Sequence, residues 1–176
     1  MRGLVAGILM VCAAGLASGE PAASPKSFDV GGSSVTLPWS AGWAVDASAK
    51  DPRTIEFTAT DAHAMRTMIS KAPPNAPVHN ETQLQFLVKY MSDELAPQSV
   101  EKKLEIKSVG NSSAPGYYVC ATDPKPKPDE YKYICQGALL QNDVVLTFTV
   151  LYNEPGIAES KQVLGALAAL EIGKGA

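Results

Sequence analysis

Apolar and polar residues alternate along most of this chain, and the alternation predicts β-strands. Within residues 54–60, Ile55, Phe57 and Ala59 fall on one face while polar side chains occupy the other, as in a half-buried strand. The same kind of pattern, with turn-forming residues between the runs, predicts further strands at residues 28–30, 35–37, 44–46, 64–71, 104–109, 116–122, 131–140 and 144–152.

A helix is predicted in the middle of the chain, where the apolar residues recur every three or four positions. Its apolar stripe consists of Leu84, Leu87, Val88, Met91 and Leu95. We expect Phe86 and Tyr90 to widen that stripe on one side. Asn80 is a suitable N-cap with Gln83 as its capping partner, and Pro97 is expected to end the helix.

A second helix is predicted from residue 155 to residue 172, with Gly173 as its C-cap. The buried side of this helix is expected to consist of Val163, Leu164, Leu167, Ala168 and Leu170. Many strands and two well-separated helices predict a single α+β domain over residues 28–173. Its sheet is expected to be largely antiparallel, with the mid-chain helix and the C-terminal helix packed on it.

A short corner runs from Pro38 to Gly42 and Trp43. The chain then has a strand pair, a helix, a four-stranded meander and a final helix. In this order of elements and in the corner, it resembles the PsbP-like superfamily and, within it, the DcrB-like bacterial envelope proteins. The resemblance covers most of the chain after residue 19, with extra residues inserted before Gly42. It implies a small binding or assembly protein rather than an enzyme, and it brings no catalytic residues.

The N-terminus predicts a secretory signal peptide at residues 1–19. Arg2 precedes an uncharged apolar stretch, and residues 17–19 are small, as a signal peptidase requires. An uncleaved anchor would need a longer apolar run, and a lipoprotein would need small residues just before Cys12. We therefore expect a periplasmic protein, or else an exported one, with no stable membrane insertion after cleavage. Residues 20–27 are expected to form a flexible tether.

Charge and size limit the classes of partner. The chain has 15 Lys and Arg residues against 18 Asp and Glu residues, and loss of Arg2 with the signal peptide leaves 14 basic residues and a net charge of −4. A mildly acidic chain lacks the basic surface that supplies most of the affinity for nucleic acid. We therefore expect no nucleic-acid partner.

Two cysteines remain after signal cleavage, Cys120 and Cys135. An even count in an oxidising compartment favours a disulfide. Such a bridge would close a loop of about 15 residues and stabilise the fold by about 3 kcal/mol in the chain-entropy model. The alternative is a catalytic thiol with a resolving partner. Both cysteines lie in strand-like runs rather than at a helix N-terminus, which favours the structural bridge.

The loop between these cysteines is the main candidate binding surface. Its alternating prolines favour an extended polyproline-II course, which lowers the entropy lost on docking. A disulfide would set Thr122 opposite Tyr133 and Asp123 opposite Lys132, so that the loop projects as a stiff finger. The candidate binding residues are Asp123, Lys125, Lys127, Asp129, Glu130, Tyr131 and Tyr133. The alternative is that proline and charge only keep a long hairpin soluble and prevent edge pairing.

Aromatic residues flank this loop and the N-terminal corner. Near the loop they are Tyr117, Tyr118, Tyr131 and Tyr133. Strand tyrosines favour half-buried packing with a hydrated hydroxyl, and an aromatic interface patch is the alternative. We expect Trp39 and Trp43 to pack as a plug in the core at the N-terminal corner and not to form a surface for a ligand.

Catalytic and metal chemistry receive little support from the sequence. Neither His63 nor His79 has a partner at a spacing typical of metal ligands. The Gly-x-Ser-x-Gly nucleophile pattern is missing, and Gly31-Gly32 lacks the following helix that a phosphate-binding loop requires. We therefore expect no enzyme activity, no metal site and no cofactor.

The sequence favours a non-enzymatic periplasmic binding or assembly protein. It would contact an unidentified envelope protein through a sheet edge or through the loop. One form of this hypothesis is an inhibitor or immunity protein against an envelope-acting toxin. A carrier of a small apolar ligand is the second class, and it should have a lined cavity between sheet and helix. A hydrolase or a thiol oxidoreductase is the third.

Overall fold

The structure of the chain, a computed structural model, describes residues 24–46, 51–59, 64–154 and 158–174. The predicted signal peptide and His63 lie outside these residues. The strands are β1 (Ser24–Asp29), β2 (Ser33–Trp39), β3 (Ala44–Val45), β4 (Thr54–Thr58), β5 (Met65–Lys71), β6 (Lys107–Asn111), β7 (Ala114–Thr122), β8 (Tyr133–Gln141), β9 (Val144–Tyr152) and β10 (Glu171–Lys174). The helices are α1 (Glu81–Leu95), which continues into a 3-10 turn at Ala96–Gln98, and α2 (Ala158–Ala168).

The described strands form two antiparallel sheets. The larger has seven strands in the order β3-β4-β5-β9-β8-β7-β6, and the smaller has three in the order β1-β2-β10. The pairing of β5 with β9, with Met65 opposite Tyr152, joins the N-terminal strands to the C-terminal meander. The predicted α+β fold with a largely antiparallel sheet is confirmed.

The two faces of the large sheet are covered differently. One face, with Phe57, Ile69 and Phe148, packs against the small sheet and α2 and forms the larger core. The other face packs against α1, which lies over β7 and β8 and buries Val119 and Ala138. Burying each large apolar side chain of these cores contributes roughly 1.5–3 kcal/mol.

Helix α1 begins as the sequence predicts. The Asn80 side chain accepts a hydrogen bond from the backbone N–H of Gln83 at 3.0 Å. The Gln83 side chain in turn accepts from the backbone N–H of His79 at 2.7 Å, one residue before the position that a capping box would use. Pro97 lies in the 3-10 turn that follows the helix.

Two aromatic residues of α1 point away from the core, contrary to the prediction. Phe86 is 67% exposed and Tyr90 is 63% exposed, whereas Leu84 and Val88 are fully buried. Each helical residue advances by about 100°, so a side chain two positions from Leu84 or Val88 faces roughly the opposite side. The expectation that Phe86 and Tyr90 widen the buried stripe is therefore wrong.

The C-terminal segment ends in a strand rather than in a helix. Helix α2 ends at Ala168, and Gly173 lies within β10, so the predicted C-cap and the helix extension to residue 172 are wrong. Strand β10 pairs with β2, which places Ile172 opposite Val35 and leaves it 3% exposed. In the described part of the chain, no helix is long and apolar enough to cross a membrane.

Strand β1 begins inside the segment predicted as a tether. Residues 24–27 pair with β2, and the Ser27 and Thr36 hydroxyl oxygens lie 2.7 Å apart. The ammonium of Lys26 lies 4.5 Å from the ring centroid of Trp39, a cation–π contact. The flexible-tether prediction is therefore wrong for these four residues, because they are held by backbone pairing and side-chain contacts. Residues 20–23 lie outside the described part.

Candidate binding cleft and disulfide-clamped loop

The predicted disulfide joins β7 to β8. Cys120 and Cys135 lie directly opposite each other, with Cα atoms 4.0 Å apart and an S–S bond of 2.02 Å. Thr122 lies opposite Tyr133, in the predicted register. Cys135 is buried, and its Sγ lies 3.6 Å from the hydroxyl oxygen of Tyr152. The bridge therefore fixes the two strands immediately below the loop.

The loop at residues 123–130 is exposed but not extended. The backbone N–H of Lys125 donates to the Asp123 carboxylate at 2.7 Å, and the backbone N–H of Glu130 donates to the Lys127 carbonyl at 3.0 Å. Asp129 has a φ of 68° within the second of these bends. Polyproline II makes no internal hydrogen bonds, whereas Asp side chains bond readily to nearby backbone N–H groups. The predicted extended course is therefore wrong.

The charges of this loop are partly matched within it. Lys127 Nζ lies 3.1 Å from the Glu130 carboxylate, and the backbone N–H of Lys127 donates to the same carboxylate at 3.1 Å. These bonds, the backbone bond first, hold the pKa of Glu130 below its ordinary value. Within the described residues, no ion pair involves Lys125. Lys125 is therefore the loop cation most available to a partner.

The tyrosines near the loop do not form one patch. The Tyr117 hydroxyl donates to the Glu81 carboxylate at the start of α1, which raises the pKa of Tyr117. Tyr118 packs on the opposite core, and Tyr133 stacks on Tyr152 with ring centroids 5.2 Å apart. The predicted half-buried packing is confirmed for Tyr117, Tyr118, Tyr131 and Tyr133.

The tryptophans of the N-terminal corner form the expected core plug. The Trp39 and Trp43 rings lie 5.5 Å apart, and each lies 5.1 Å from the Phe57 ring. Trp43 is only 7% exposed. This corner therefore stabilises the larger core and offers little surface to a ligand.

A cleft of about 610 Å³ lies between α1 and the part of the large sheet that α1 leaves uncovered. We call it the α1 cleft, and we define it by Thr54, Ser70, Thr147, Val78, Phe86 and Leu87. Arg53 and Lys71 are also part of its lining. Its volume falls within the range of roughly 300–1,000 Å³ that is typical of small-molecule sites.

The floor of the α1 cleft is a row of hydroxyl side chains. Thr54 on β4 lies opposite Ser70 on β5, and Ser70 lies opposite Thr147 on β9. The Thr54 and Ser70 hydroxyl oxygens are 2.9 Å apart, and the Thr147 hydroxyl donates to the Ser70 carbonyl at 3.3 Å. Alternate residues of each strand face opposite sides, so Ile55 and Ile69 enter the larger core while the hydroxyls face the cleft.

The wall of the α1 cleft is apolar. Phe86 and Leu87 project from α1, and the proline-rich segment between β5 and α1 adds Pro77 and the buried Val78. Sequence reasoning missed this wall because it assigned Phe86 to the core. The sequence feature that could have predicted the wall is the apolar content of the proline-rich segment directly before an amphipathic helix.

Three charged residues, Asp51, Arg53 and Lys71, are also part of the lining of the α1 cleft. Arg53 donates to both carboxylate oxygens of Asp51, at 3.2 and 2.9 Å, and the side-chain hydrogen bond lowers the pKa of Asp51. Lys71 Nζ donates to the Gly31 carbonyl and to the Ser33 hydroxyl, each at 2.8 Å. These two bonds hold the Lys71 ammonium against the turn between β1 and β2, on the side of the large sheet opposite to the hydroxyl floor. The cleft thus combines a hydroxyl floor with an apolar wall.

His79 contributes no site to this arrangement. His79 is exposed just before α1, and its backbone N–H is bonded to Gln83. His63 lies outside the described residues. Across the part of the chain that the structure describes, no group of three or more His, Cys, Asp or Glu side chains is gathered as a metal site would require.

No protein-family model and no curated protein sequence matches the chain. Among solved structures, it is similar to the solution structure of cyanobacterial PsbP (CyanoP) from Synechocystis sp. PCC 6803. The sequence identity is 14%, the TM-score is 0.47, and the alignment covers 90% of this chain and 98% of that chain. Similarity at this level assigns neither function nor site, and the DcrB-like resemblance stays a prediction.

Proposed function

We propose that this protein is a non-enzymatic binding protein that holds a small ligand with an apolar body in the α1 cleft. The observation that carries this proposal is Phe86, a large apolar side chain that is 67% exposed and lines a cleft of about 610 Å³. Contact with an apolar ligand would remove its ring from water, which stabilises a complex by roughly 25 cal/mol per Å² buried. Leu87, Pro77 and Val78 line the same cleft, and a contiguous apolar surface of this kind commonly marks a binding groove.

The two sides of the cleft suit different parts of a ligand. Phe86, Leu87 and Val78 offer apolar contact, while the hydroxyls of Thr54 and Ser70 offer a few fixed hydrogen-bonding groups. Small-molecule sites commonly combine a mainly apolar lining with a small number of polar groups that orient the ligand. The cleft also lies between sheet and helix, where the carrier hypothesis places its cavity.

Titration with the neutral fluorescent probe N-phenyl-1-naphthylamine tests this function. The chain should bind the probe, and Phe86→Ala should weaken binding about tenfold, because truncation removes most of the apolar contact of one large side chain. Tyr90→Ala is the matched control, because Tyr90 is almost as exposed on the same helix but does not line the cleft. Equal affinity in the wild-type protein and the Phe86→Ala variant would overturn the cleft as the binding site.

The site of action that we propose is the periplasm, with full export as the alternative. The signal-peptide pattern of residues 1–19 supports an extracytoplasmic location, and the Cys120–Cys135 disulfide suits an oxidising compartment. Fractionation of cells that produce the full chain tests this directly. The mature protein, shortened by 19 residues, should appear in the periplasmic fraction, and an intact N-terminus in the cytoplasm would contradict the proposal.

A second candidate function is protein binding through the loop at residues 123–130. The observation that favours it is the disulfide directly below an exposed loop, since a fixed base lowers the entropy lost when the loop docks. The partner would be an envelope protein, and in one form an envelope-acting toxin that this protein inhibits.

Capture from an envelope extract tests the loop. A partner retained by the mature protein should be lost when residues 124–129 are deleted. Lys125→Ala should weaken capture more than Lys127→Ala, because Lys127 is already paired with Glu130. Equal capture by the intact and deleted forms would remove the loop from consideration and leave the α1 cleft unaffected.

A further inference from the structure

We propose that the ligand of the α1 cleft is a neutral amphiphile whose polar group both donates and accepts hydrogen bonds at the hydroxyl floor. This inference rests on the proposed function of the cleft and adds the chemical class of the ligand. The class meant is a single apolar chain or ring system that ends in a hydroxyl or a primary amide. The apolar part would contact Phe86 and Leu87, and the polar part would lie on Thr54, Ser70 and Thr147.

The hydroxyl floor uses only part of its hydrogen-bonding capacity within the described residues. The Thr147 hydroxyl donates its hydrogen to the Ser70 carbonyl at 3.3 Å and keeps its lone pairs as acceptors. One of the Thr54 and Ser70 hydroxyls donates to the other across 2.9 Å, and the one that accepts keeps its own hydrogen. The floor therefore offers a ligand one O–H donor together with several acceptor lone pairs.

A ligand group can reach two members of this row at once. Thr54 lies opposite Ser70, and Ser70 lies opposite Thr147, on adjacent strands. Directly opposite side chains of neighbouring strands have Cβ atoms about 4.5–5.5 Å apart. A ligand oxygen about 2.8 Å from each of two hydroxyls therefore fits between them. Such a group would accept from the free O–H and donate to a neighbouring lone pair. A hydroxyl or a primary amide can do both, whereas an ether or an ester can only accept.

The lining gives no support to a charged ligand group. Arg53 donates to both carboxylate oxygens of Asp51, so the charges of these two residues compensate each other. The Lys71 ammonium is held on the other side of the large sheet by Gly31 and Ser33. Among the described residues that line the cleft, no other side chain is charged. An ion on the hydroxyl floor would lose hydration without meeting an opposite charge, and a neutral group avoids this cost.

A molecule without any polar group would match only the wall of the cleft. It would displace water from the floor and leave the free O–H and the lone pairs without partners, which costs free energy. A neutral amphiphile instead places its apolar part against Phe86, Leu87 and Val78 and its polar group on the floor. The wall and the floor together therefore favour the amphiphile over a hydrocarbon and over an ion.

Competition among three ligands of similar size tests the inference on the wild-type protein. The ligands are 1-octanol, its isomer heptyl methyl ether, and octanoate, and each is titrated against bound N-phenyl-1-naphthylamine. The alcohol should displace the probe at about fivefold lower concentration than the ether, because it can form one more hydrogen bond at the floor. Octanoate should be the weakest of the three. Equal displacement by the alcohol and the ether, or stronger displacement by octanoate, would overturn the inference while leaving the proposed function standing.

Two double variants with the same chemical change complete the test. Thr54→Val combined with Thr147→Val leaves Ser70 as the single floor hydroxyl, which can form one bond with either the alcohol or the ether. The preference for the alcohol should therefore fall to about equal displacement. Thr58→Val combined with Thr149→Val is the matched control and should keep the preference. These two residues lie on the same strands and the same face of the sheet, but they do not line the cleft.

The remaining outcomes separate the sources of failure. A folded cleft variant that keeps the preference for the alcohol would overturn the inference, and if that variant unfolds, the wild-type ligand series decides alone. Binding of the probe without displacement by 1-octanol would overturn the inference only. Failure of the probe and of all three ligands to bind the wild-type protein would overturn the proposed function itself, and the inference with it.

Discussion

One cross-strand row of the large sheet contains both an open and a closed region. Thr54, Ser70 and Thr147 occupy its first three positions, and Ala138 and Tyr117 continue it on β8 and β7. The first three are hydroxyl side chains that are partly exposed in the α1 cleft. Ala138 is fully buried beneath α1, and the Tyr117 hydroxyl is bonded to the helix. The polarity of the row therefore changes where the helix begins to cover it.

This change matches the position of α1 to the chemistry of the side chains below it. A helix moved over Thr54 and Ser70 would bury hydroxyls and lose their hydration, at a cost of roughly 1–3 kcal/mol for each unsatisfied group. The same helix over Ala138 and Val119 buries apolar surface and gains stability. Side-chain chemistry thus favours covering the β7–β8 half and leaving the other half open.

The largest expected difference between the closed and the open region is in stability, and two residues of α1 that are two positions apart test it. Leu84→Ala should lower the free energy of unfolding by about 2–5 kcal/mol, because Leu84 is fully buried against the closed half. Phe86→Ala should change it by no more than about 0.5 kcal/mol, because Phe86 is exposed at the cleft. Urea unfolding monitored by circular dichroism measures both. Similar losses in the two variants would mean that the helix does not divide the face in this way.

Removal of the disulfide tests whether the closed half supports the cleft. Replacement of Cys120 and Cys135 by Ala should destabilise the protein by about 3 kcal/mol, the chain-entropy value for a loop of this length. The reduced wild-type protein should unfold at a similar urea concentration. Affinity for N-phenyl-1-naphthylamine should persist under conditions in which the variant is folded, because neither cysteine lines the cleft. Loss of probe binding by the folded variant would show that the two halves are coupled.

A smaller effect on stability is expected from the hydroxyl floor, which belongs to the open half. Ser70→Ala should cost about 1 kcal/mol of unfolding free energy, since it removes the hydrogen bond to Thr54. Adding Thr54→Val to that variant should cost less than it does alone, because the partner hydroxyl has already lost its bond. A double-mutant cycle by urea unfolding gives the coupling. Strict additivity would mean that the two hydroxyls do not interact in the folded protein.

The smallest effect is expected in an acid titration of Asp51. The side-chain hydrogen bond from Arg53 depresses the folded pKa of Asp51 below the ordinary value of 3.8. The contribution of this pair to stability is therefore present above pH 3.8 and is lost as the pH falls through the depressed value. It should be small, because both side chains are exposed. The Asp51 carboxyl resonance in NMR should titrate below 3.8, and Arg53→Met should raise its midpoint; an unchanged midpoint would contradict the pairing.

The sequence predicted features that local patterns encode. Alternation predicted β4, and the facing cysteines predicted the register that pairs Thr122 with Tyr133. The four-residue strand β10 was missed because Ile172 is its single buried apolar residue, which is too little to form a pattern. The bends of the loop were missed because they depend on side-chain bonds such as that from Lys125 N–H to Asp123.

The candidate site was harder to predict than the fold. The sequence analysis predicted a cavity between sheet and helix only as a feature that a carrier of a small apolar ligand should have. The position of this cavity depends on where α1 lies across the sheet. That placement is a tertiary property, and the spacing of apolar residues along the sequence does not reveal it. Lys71 was read only as the end of a strand, because its contacts with Gly31 and Ser33 join segments far apart in the sequence.

The small sheet also determines when folding can finish. Strand β2 is its central strand, with β1 on one side and β10 on the other, so Thr36 pairs with Glu171. Synthesis proceeds from the N-terminus, so β2 emerges long before the strand that completes its second edge. Pairings between such distant segments form slowly, because a long chain must close first. A nascent chain that lacks residues 171–174 therefore carries an open strand edge at β2, where chaperones could bind or aggregation could begin.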